Sequence, residues 1–457
     1  MNKSYYWTIM ILLAGFYACQ KKDLGNTVSP VNLNIALEYN SDVNAIGLRK
    51  DSALVRITNT TSGTIKETYT NANGVAVFES LIPGIYTITA SITISKSSYQ
   101  QLSNTVVDHD VVFNGNLTNQ SITEQQTNIN IPVTSGRIGN WVFKQLYYCG
   151  SNVSTGASFR DQFLEIYNNS NDTLYADSLY IGSVIGVNNT NTNYPGHGYL
   201  PNHQYDWTKS VDMNNPNANT NYLYVRTAFM IPGTGKQYPV LPGKSLIIAQ
   251  TAQNHTAPYR LNDNTELKVT DGTLTVDLSK ADFETYLVDY KKAEAGNPAN
   301  FDPYKYDLDN PGVTNVHVIY LSQGSEWTIE NTGREAMILY TLNGADPKSF
   351  PFFALPIVTT VTPATVKYQQ IPIGNIIEAV ELQRISVNER GPKRIPNSLD
   401  AGPTNITAGN YTSQSLVRKT ARTVNGRRVL QDTNNSANDF FVKKKADPSK
   451  TEASFTE

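Results

Sequence analysis

The sequence predicts an all-β protein of two β-sandwiches, immunoglobulin-like or prealbumin-like, the second carrying long loop insertions and one short helix. Three observations carry that expectation. Runs such as VNLNIALEY (31–39), ALVRITN (53–59), GVAVFESL (74–81) and GIYTITASITI (84–94) alternate apolar and polar residues, the period of a half-buried strand. Clusters of Asn, Gly, Pro and Ser punctuate these runs at the spacing of a sandwich. Only 17% of residues are charged, against 27 tyrosines, so the surface is polar through amides and phenols rather than ions. At 457 residues the chain has room for about two to four domains.

The N-terminal end has the layout of an export signal. Lys3 gives a small positive start, and Tyr5–Ala18 is uncharged and mostly apolar. That run falls short of the roughly 20 apolar residues a membrane-spanning helix needs, so a cleaved signal fits it better than an anchor. It stops at Cys19, preceded by the small residue Ala18. This resembles a bacterial lipobox, in which the cysteine thiol takes a diacylglycerol and becomes the first mature residue; Phe16 and Tyr17 depart from its usual small or aliphatic residues. The alternative is an ordinary signal peptide with a chance cysteine. Gln20, Lys21, Lys22 and Asp23 resemble the Bacteroidota signal that sends lipoproteins to the outer face of the outer membrane. That resemblance implies a lipid-anchored protein facing the cell exterior. Residues 19–32 read as a polar tether. With Cys19 acylated, Cys149 has no intrachain partner, and its place in a strand predicts a buried, inert thiol.

From 33 to 134 the pattern predicts the first sandwich. Its clearest piece is TNANGVAVFESLIPGIYTITA (70–90). Asn73-Gly74 supplies a turn with positive φ. Val75, Val77 and Leu81 are expected to face the core, with Phe78 on the other side. Tyr86, Ile88 and Ala90 alternate along the next strand. The segment resembles the carboxypeptidase-regulatory-like or collagen-binding-B-like sandwich, with its turn glycine, apolar strand and Leu-x-Pro-Gly-x-Tyr. Such modules serve mostly as spacers or platforms.

The second domain is expected over 135–445. Phe163-Leu164-Glu165-Ile166-Tyr167-Asn168, YPVLPGKSLIIAQ (238–250), EWTIENTGREAMILY (326–340) and QDTNNSANDFF (431–441) resemble, in order, four elements of a lamin-tail-like immunoglobulin domain. Signal, first sandwich and this domain together resemble a Bacteroidota outer-membrane lipoprotein family known only as a domain of unknown function. The resemblance implies a location and a fold but no activity. Within this region, Ser279 as cap and Phe283, Tyr286, Leu287 and Tyr290 as one apolar face predict a helix over 277–290. Residues 446–457 read as a solvated tail.

A net charge of −2 offers no basic field for nucleic acid. The chain lacks a Gly-x-Ser-x-Gly elbow, a His-Glu-x-x-His pair and a phosphate-binding loop, so no catalytic residue and no cofactor is expected. The pairs Asp161/Glu165 and Asp307/Asp309 have the residue type of glycosidase carboxylates, but their separation depends on the fold. His197, His203 and Asp206 are weak candidates for a metal; ordinary loop histidines are the alternative. YDLDNPG (306–312) and DTNNSAND (432–439) hold oxygen donors but also turn signals that account for them. The stronger binding candidate is the aromatic loop of Tyr194, Tyr199, Tyr205, Trp207, Tyr222 and Tyr224, within an Asn- and Gly-rich stretch. Such rings either stack on a ligand or fill a small satellite core. Ser52, Thr173 and Ser178 follow aspartates in triplets resembling the Bacteroidota O-glycosylation signal. The composite expectation is a surface-exposed lipoprotein with a non-catalytic binding role, partnered by the outer-membrane lipid and by a surface glycan or a TonB-dependent receptor. Ligand capture for TonB-dependent uptake and an unrecognised secreted hydrolase are the alternatives.

Overall fold

The computed structural model describes residues 29–39, 44, 46–103, 110–123, 127–135, 140–188, 197–295, 301–424 and 426–456. The fold is all-β, as predicted. Seven strands form the N-terminal unit: β1 (Val31–Tyr39), β2 (Leu54–Asn59), β3 (Ile65–Tyr69), β4 (Val75–Leu81), β5 (Gly84–Ile94), β6 (Val111–Ile122) and β7 (Asn128–Ser135). They run in the order β3-β2-β5-β6-β7-β1-β4. The ends of that path approach each other, because Lys66 on β3 donates to the carbonyls of Glu79 and Ser80 on β4. The path thereby wraps around one core that includes Ile35, Val55, Ile88, Phe113 and Ile131. Burying each such side chain stabilises by about 1.5–3 kcal/mol.

The alternation expected on β5 is present, with Tyr86, Ile88 and Ala90 buried. On β4 the phase is the reverse of the expectation. Ala76 and Phe78 are buried and Val77 is 44% exposed. Leu81 does turn inward, because Ser80 sits at φ 53 and interrupts the two-residue repeat. The Asn73-Gly74 turn forms as read: Gly74 has φ 73, and the Asn71 side chain accepts from Asn73 N and Val75 N.

The second unit packs two seven-stranded sheets. One contains Tyr180–Val184, Tyr222–Met230, Ala336–Tyr340, Lys367–Pro372 and Ile376–Glu381; the other contains Trp141–Tyr147, Phe163–Asn168, Ser245–Ala249, Ser415–Arg418 and Phe440–Lys443. Their shared core includes Phe143, Phe163, Ile248, Trp327 and Leu339. Two expectations are corrected here. The helix is confined to Val288–Ala295, because Phe283–Glu284 instead forms a short parallel strand against Ser245–Ala249. Ser279 does not cap; its N–H and hydroxyl donate to Asp277.

The C-terminal segment is packed rather than solvated. Lys144 and Glu165 form a fully buried ion pair at 2.8 Å, and a buried charge requires further partners. Ser454 Oγ accepts from Lys144 Nζ at 2.7 Å, and the Phe455 ring lies 3.7 Å from the same ammonium. Residues 446–456 are therefore the cover over that pair.

Candidate functional site

Strand β6 carries Phe113 inward, while Asn114 and Asn116 project from its other face. Those two amides are nonetheless buried, because the second unit covers them. Asn114 Nδ2 donates to the Thr433 carbonyl. Asn116 Nδ2 donates to the Ala401 carbonyl at 2.6 Å, and Asn397 Nδ2 returns a bond to the Asn116 carbonyl at 2.6 Å. Beside this seam a cleft of about 970 Å³ opens between the units. Its volume lies within the roughly 300–1,000 Å³ range of ligand sites.

Threonines of β2 and β5 form one wall of the cleft, together with Arg56, which is paired with Glu67. The facing wall joins two loops of the second unit. Gln204 fastens them: its side-chain oxygen accepts from Val187 N and Tyr205 N, and its amide donates to the carbonyls of Pro392 and Lys393. Gly186 lets the Arg394 stem pass; a Cβ there would lie 2.4 Å from Arg394 Cγ. Arg394 is fully committed, to Glu381 at 2.9 Å and to the Arg334 carbonyl and Asn188.

Arg390 and Lys393 differ from it. Among the described residues, neither has a carboxylate within ion-pair distance. Arg390 donates to the Arg384 carbonyl at 2.8 Å and to Asn405 Oδ1 at 2.9 Å. Lys393 donates to Asn397 Oδ1 at 2.9 Å and to the Asp400 carbonyl. Burial pulls the Lys393 ammonium below the usual lysine range, against the opposing fields of Asp400 and Glu381. Among the described residues, no Asp or Glu lines the cleft.

Of the predicted aromatic residues, Tyr205, Trp207, Tyr222 and Tyr224 all line this cleft. Trp207 and Tyr224 stack at 3.6 Å with an interplanar angle of 9°. Both are buried, in a small core with Ala218 that also packs Met213, Phe353 and Tyr368. These two rings thus form a satellite core, and the half-buried Tyr205 and Tyr222 are the ones that offer surface. Tyr199 stacks on Tyr205 at 5.7 Å, across a bridge that folds the loop into a hairpin. Tyr194 lies outside the described residues, as do Cys19, Gln20, Lys21, Lys22 and Asp23.

Asp206 holds the turn at Trp207–Lys209, accepting from Thr208 and from Asn219 Nδ2 at 2.7 Å. Burial disfavours its charge, but these hydrogen bonds outweigh that and keep the carboxyl below its usual range. His197 is exposed, and His203 occupies a turn at φ 68. Among the described residues, no three His, Cys, Asp or Glu side chains are placed to hold a metal ion. Asp307 accepts from Leu287 N, and Asp439 from Thr433 while facing Arg418, so both acidic segments are structural corners. Asp161 accepts from the Tyr147 hydroxyl, and Glu165 pairs with Lys144. Cys149 is buried and free, and burial pushes its thiol up to about 11. Ser52, Thr173 and Ser178 are exposed.

Sequence reasoning missed Asn116, Arg390, Lys393 and Asn397. One local signal was available for the first: amides at alternate positions of VVFNGNL (111–117), whose other positions are apolar.

Residues 241–447 match a family model described as a protein of unknown function, DUF4876. No curated protein matches the chain. Among solved structures the chain is similar to a DUF4876 family protein from Bacteroides thetaiotaomicron, at 24% identity and TM-score 0.47, covering 90% of this chain and 95% of that one. It is also similar to a candidate adhesin from Bacteroides ovatus, at 11% identity and TM-score 0.18, covering 79% and 88% respectively. A pilus adhesin from Streptococcus pneumoniae is matched over 45% of this chain and 20% of that one, at 14% identity and TM-score 0.13. The resemblance to a family of unknown function is thus matched over the C-terminal part of the chain.

Proposed function

We propose that the protein is a lipid-anchored outer-membrane surface protein that binds an acidic glycan in the cleft, without catalysis. The observation that carries this reading is the lining of the cleft. Arg390 and Lys393 supply positive charge that no described carboxylate meets at ion-pair distance, Asn397 and Asn405 supply amides, and Tyr205 and Tyr222 supply ring faces. A guanidinium suits bidentate recognition of a carboxylate or sulfate. Amides suit hydroxyls, which both donate and accept. A glycosidase would require a pair of carboxyl groups flanking the scissile bond, and no described residue lining this cleft supplies one. The lipobox-like segment at Cys19 supports the location. No helix among the described residues is long and apolar enough to cross a membrane.

Calorimetric titration with polygalacturonate and with neutral dextran tests the reading. Polygalacturonate is expected to bind, dextran to bind at least tenfold more weakly, and Arg390→Ala to weaken polygalacturonate about tenfold. Added salt is expected to weaken binding as well. Equal affinity for the two polymers, or an Arg390→Ala variant that binds like the wild type, would overturn it.

A further inference from the structure

The N-terminal sandwich has one end where the chain enters and where its exposed isoleucines gather. Strand β1 pairs antiparallel with β4 so that Val31 lies opposite Leu81. The entry at Ser29–Pro30 is therefore beside the β4–β5 turn. The β2–β3 turn reaches the same end, where Thr60 N donates to the Ile85 carbonyl at 2.9 Å. At this end Ile82 is 67% exposed, Ile65 56% and Ile85 39%. Ile65 also lines the outer part of the cleft, whereas Ile82 and Ile85, at the β4–β5 turn, do not line it and form an apolar tip that no described residue covers.

Charge is distributed accordingly. The described segments at the tip, 29–32, 59–66, 80–86 and 120–123, contain no Asp or Glu, and Lys66 is their one cation. Arg49, Lys50, Asp51, Lys96 and Asp110 lie at or near the opposite end, where β2 and β6 begin. The roughly twelve residues from Cys19 to Val31 reach at most about 40 Å. A lipid on Cys19 would thus tether the sandwich by this end.

We propose that this tip docks on the lipid surface, with Ile82 and Ile85 entering the boundary between headgroups and acyl chains. Exposed aliphatic side chains beside the point where a lipid-bearing segment enters the fold are the setting of an interfacial contact. The docking rests on the lipid-anchor reading and adds an orientation to it: the sandwich stands on the membrane by its entry end, instead of tumbling at the end of a tether.

The test uses the chain beginning at Cys19, coupled through that thiol to a maleimide lipid in phosphatidylethanolamine–phosphatidylglycerol vesicles. Cys149 is buried and does not compete. Trp141, Trp207 and Trp327, the three tryptophans from Cys19 onward, are buried, so an added exposed tryptophan reports cleanly. Ile82→Trp is expected to lose at least half its added emission to brominated lipid, and Tyr69→Trp, 65% exposed at the opposite end, to lose little. Ile85→Trp repeats the measurement if Ile82→Trp folds poorly. Equal quenching at the two ends would overturn the docking. The intact mass of the natively processed protein tests the anchor separately: an unmodified Cys19 would remove the anchor reading without altering the quenching result.

Discussion

Trp207→Ala and Tyr205→Ala separate a ring that builds the protein from a ring that faces its ligand. Trp207 is 6% exposed and stacks on Tyr224, whose hydroxyl donates to the Ala218 carbonyl and accepts from Gln370 Nε2. The Trp207 backbone N–H is also held, by Asn219 Oδ1 at 2.7 Å. Truncation leaves a cavity under a wall fixed by these bonds, and such a wall collapses poorly. The cost is about 3–5 kcal/mol. At about 2.1 cal/mol/K of unfolding entropy per residue, a unit of about 315 residues loses roughly 1.5 °C per kcal/mol. Trp207→Ala is therefore expected to lower Tm by roughly 5–8 °C. Tyr205 is half-buried, stacked on Tyr199 and edge-on to Trp207 at 6.1 Å. Its removal is expected to cost about 1–2 kcal/mol, so roughly 2–3 °C, while weakening polygalacturonate. Scanning calorimetry of both variants is the assay. A Trp207→Ala protein that melts within about 2 °C of the wild type would refute the satellite-core reasoning, and the stacked pair would then belong to the binding surface.

The thiol of Cys149 is expected to react with a maleimide only on the timescale of unfolding, because burial raises its pKa to about 11; labelling before and after denaturation checks this, and rapid native labelling would contradict the burial. Burial also raises the Asp161 carboxyl to about 7, while the Ser151 and Tyr147 hydrogen bonds oppose the shift. The folded state then holds a proton that the unfolded state has released between about pH 4 and pH 7, so this group's contribution to stability falls as pH rises through that window and is flat above it. Buried His255 acts oppositely: its pKa is lowered to about 4 by burial, and its contribution is lost as pH falls from about 6.5 toward 4. Asp161→Asn is expected to gain stability relative to wild type on going from pH 5 to pH 8, by at most a few kcal/mol; urea unfolding at the two pH values measures it, and an unchanged difference would show that the carboxyl is ionised in the fold.

Much of the fold was legible because a strand writes its burial locally. The β5 run GIYTITASITI has one phase, and every second residue from Tyr86 to Ile94 is buried. The failures came where a single contact overruled the local period. Ser80 at φ 53 shifted β4, whose Phe78 was strong enough to set the phase against Val75 and Val77. At 277–290 the spacing of Phe283, Leu287 and Tyr290 matches a helix. Glu284 there instead accepts from Ala252 N at 2.7 Å and Asn310 N at 2.6 Å, so its carboxylate serves as a backbone acceptor linking two loops. Residues 446–457 read as a solvated tail, but Ser454 and Phe455 are drawn inward by a buried Lys144–Glu165 pair some 300 positions away in sequence.

The cleft was legible on one wall only. Its aromatic loop carries a compositional signal, whereas Arg390, Lys393 and Asn397 stand in an unremarkable loop until the fold brings β6 beside them. What joins the two walls is a seam of amides: Asn114, Asn116 and Asn397 make its hydrogen bonds. Among the described residues, the Oδ1 atoms of Asn114, Asn116 and Asn435 in the same seam are buried without a protein partner, and a buried acceptor left unpaired costs about 1–3 kcal/mol. An apolar seam would have avoided that penalty, and the amides do not lock the units as a shared hydrophobic core would. The cores of the two units are separate, so amide hydrogen bonds, and not a shared apolar core, join the walls of the cleft. A ligand that bridges Arg390 on one wall and the threonines of β2 and β5 on the other would add its own bonds to these. Binding and the closeness of the two units would then be linked: whatever fills the cleft also holds it shut.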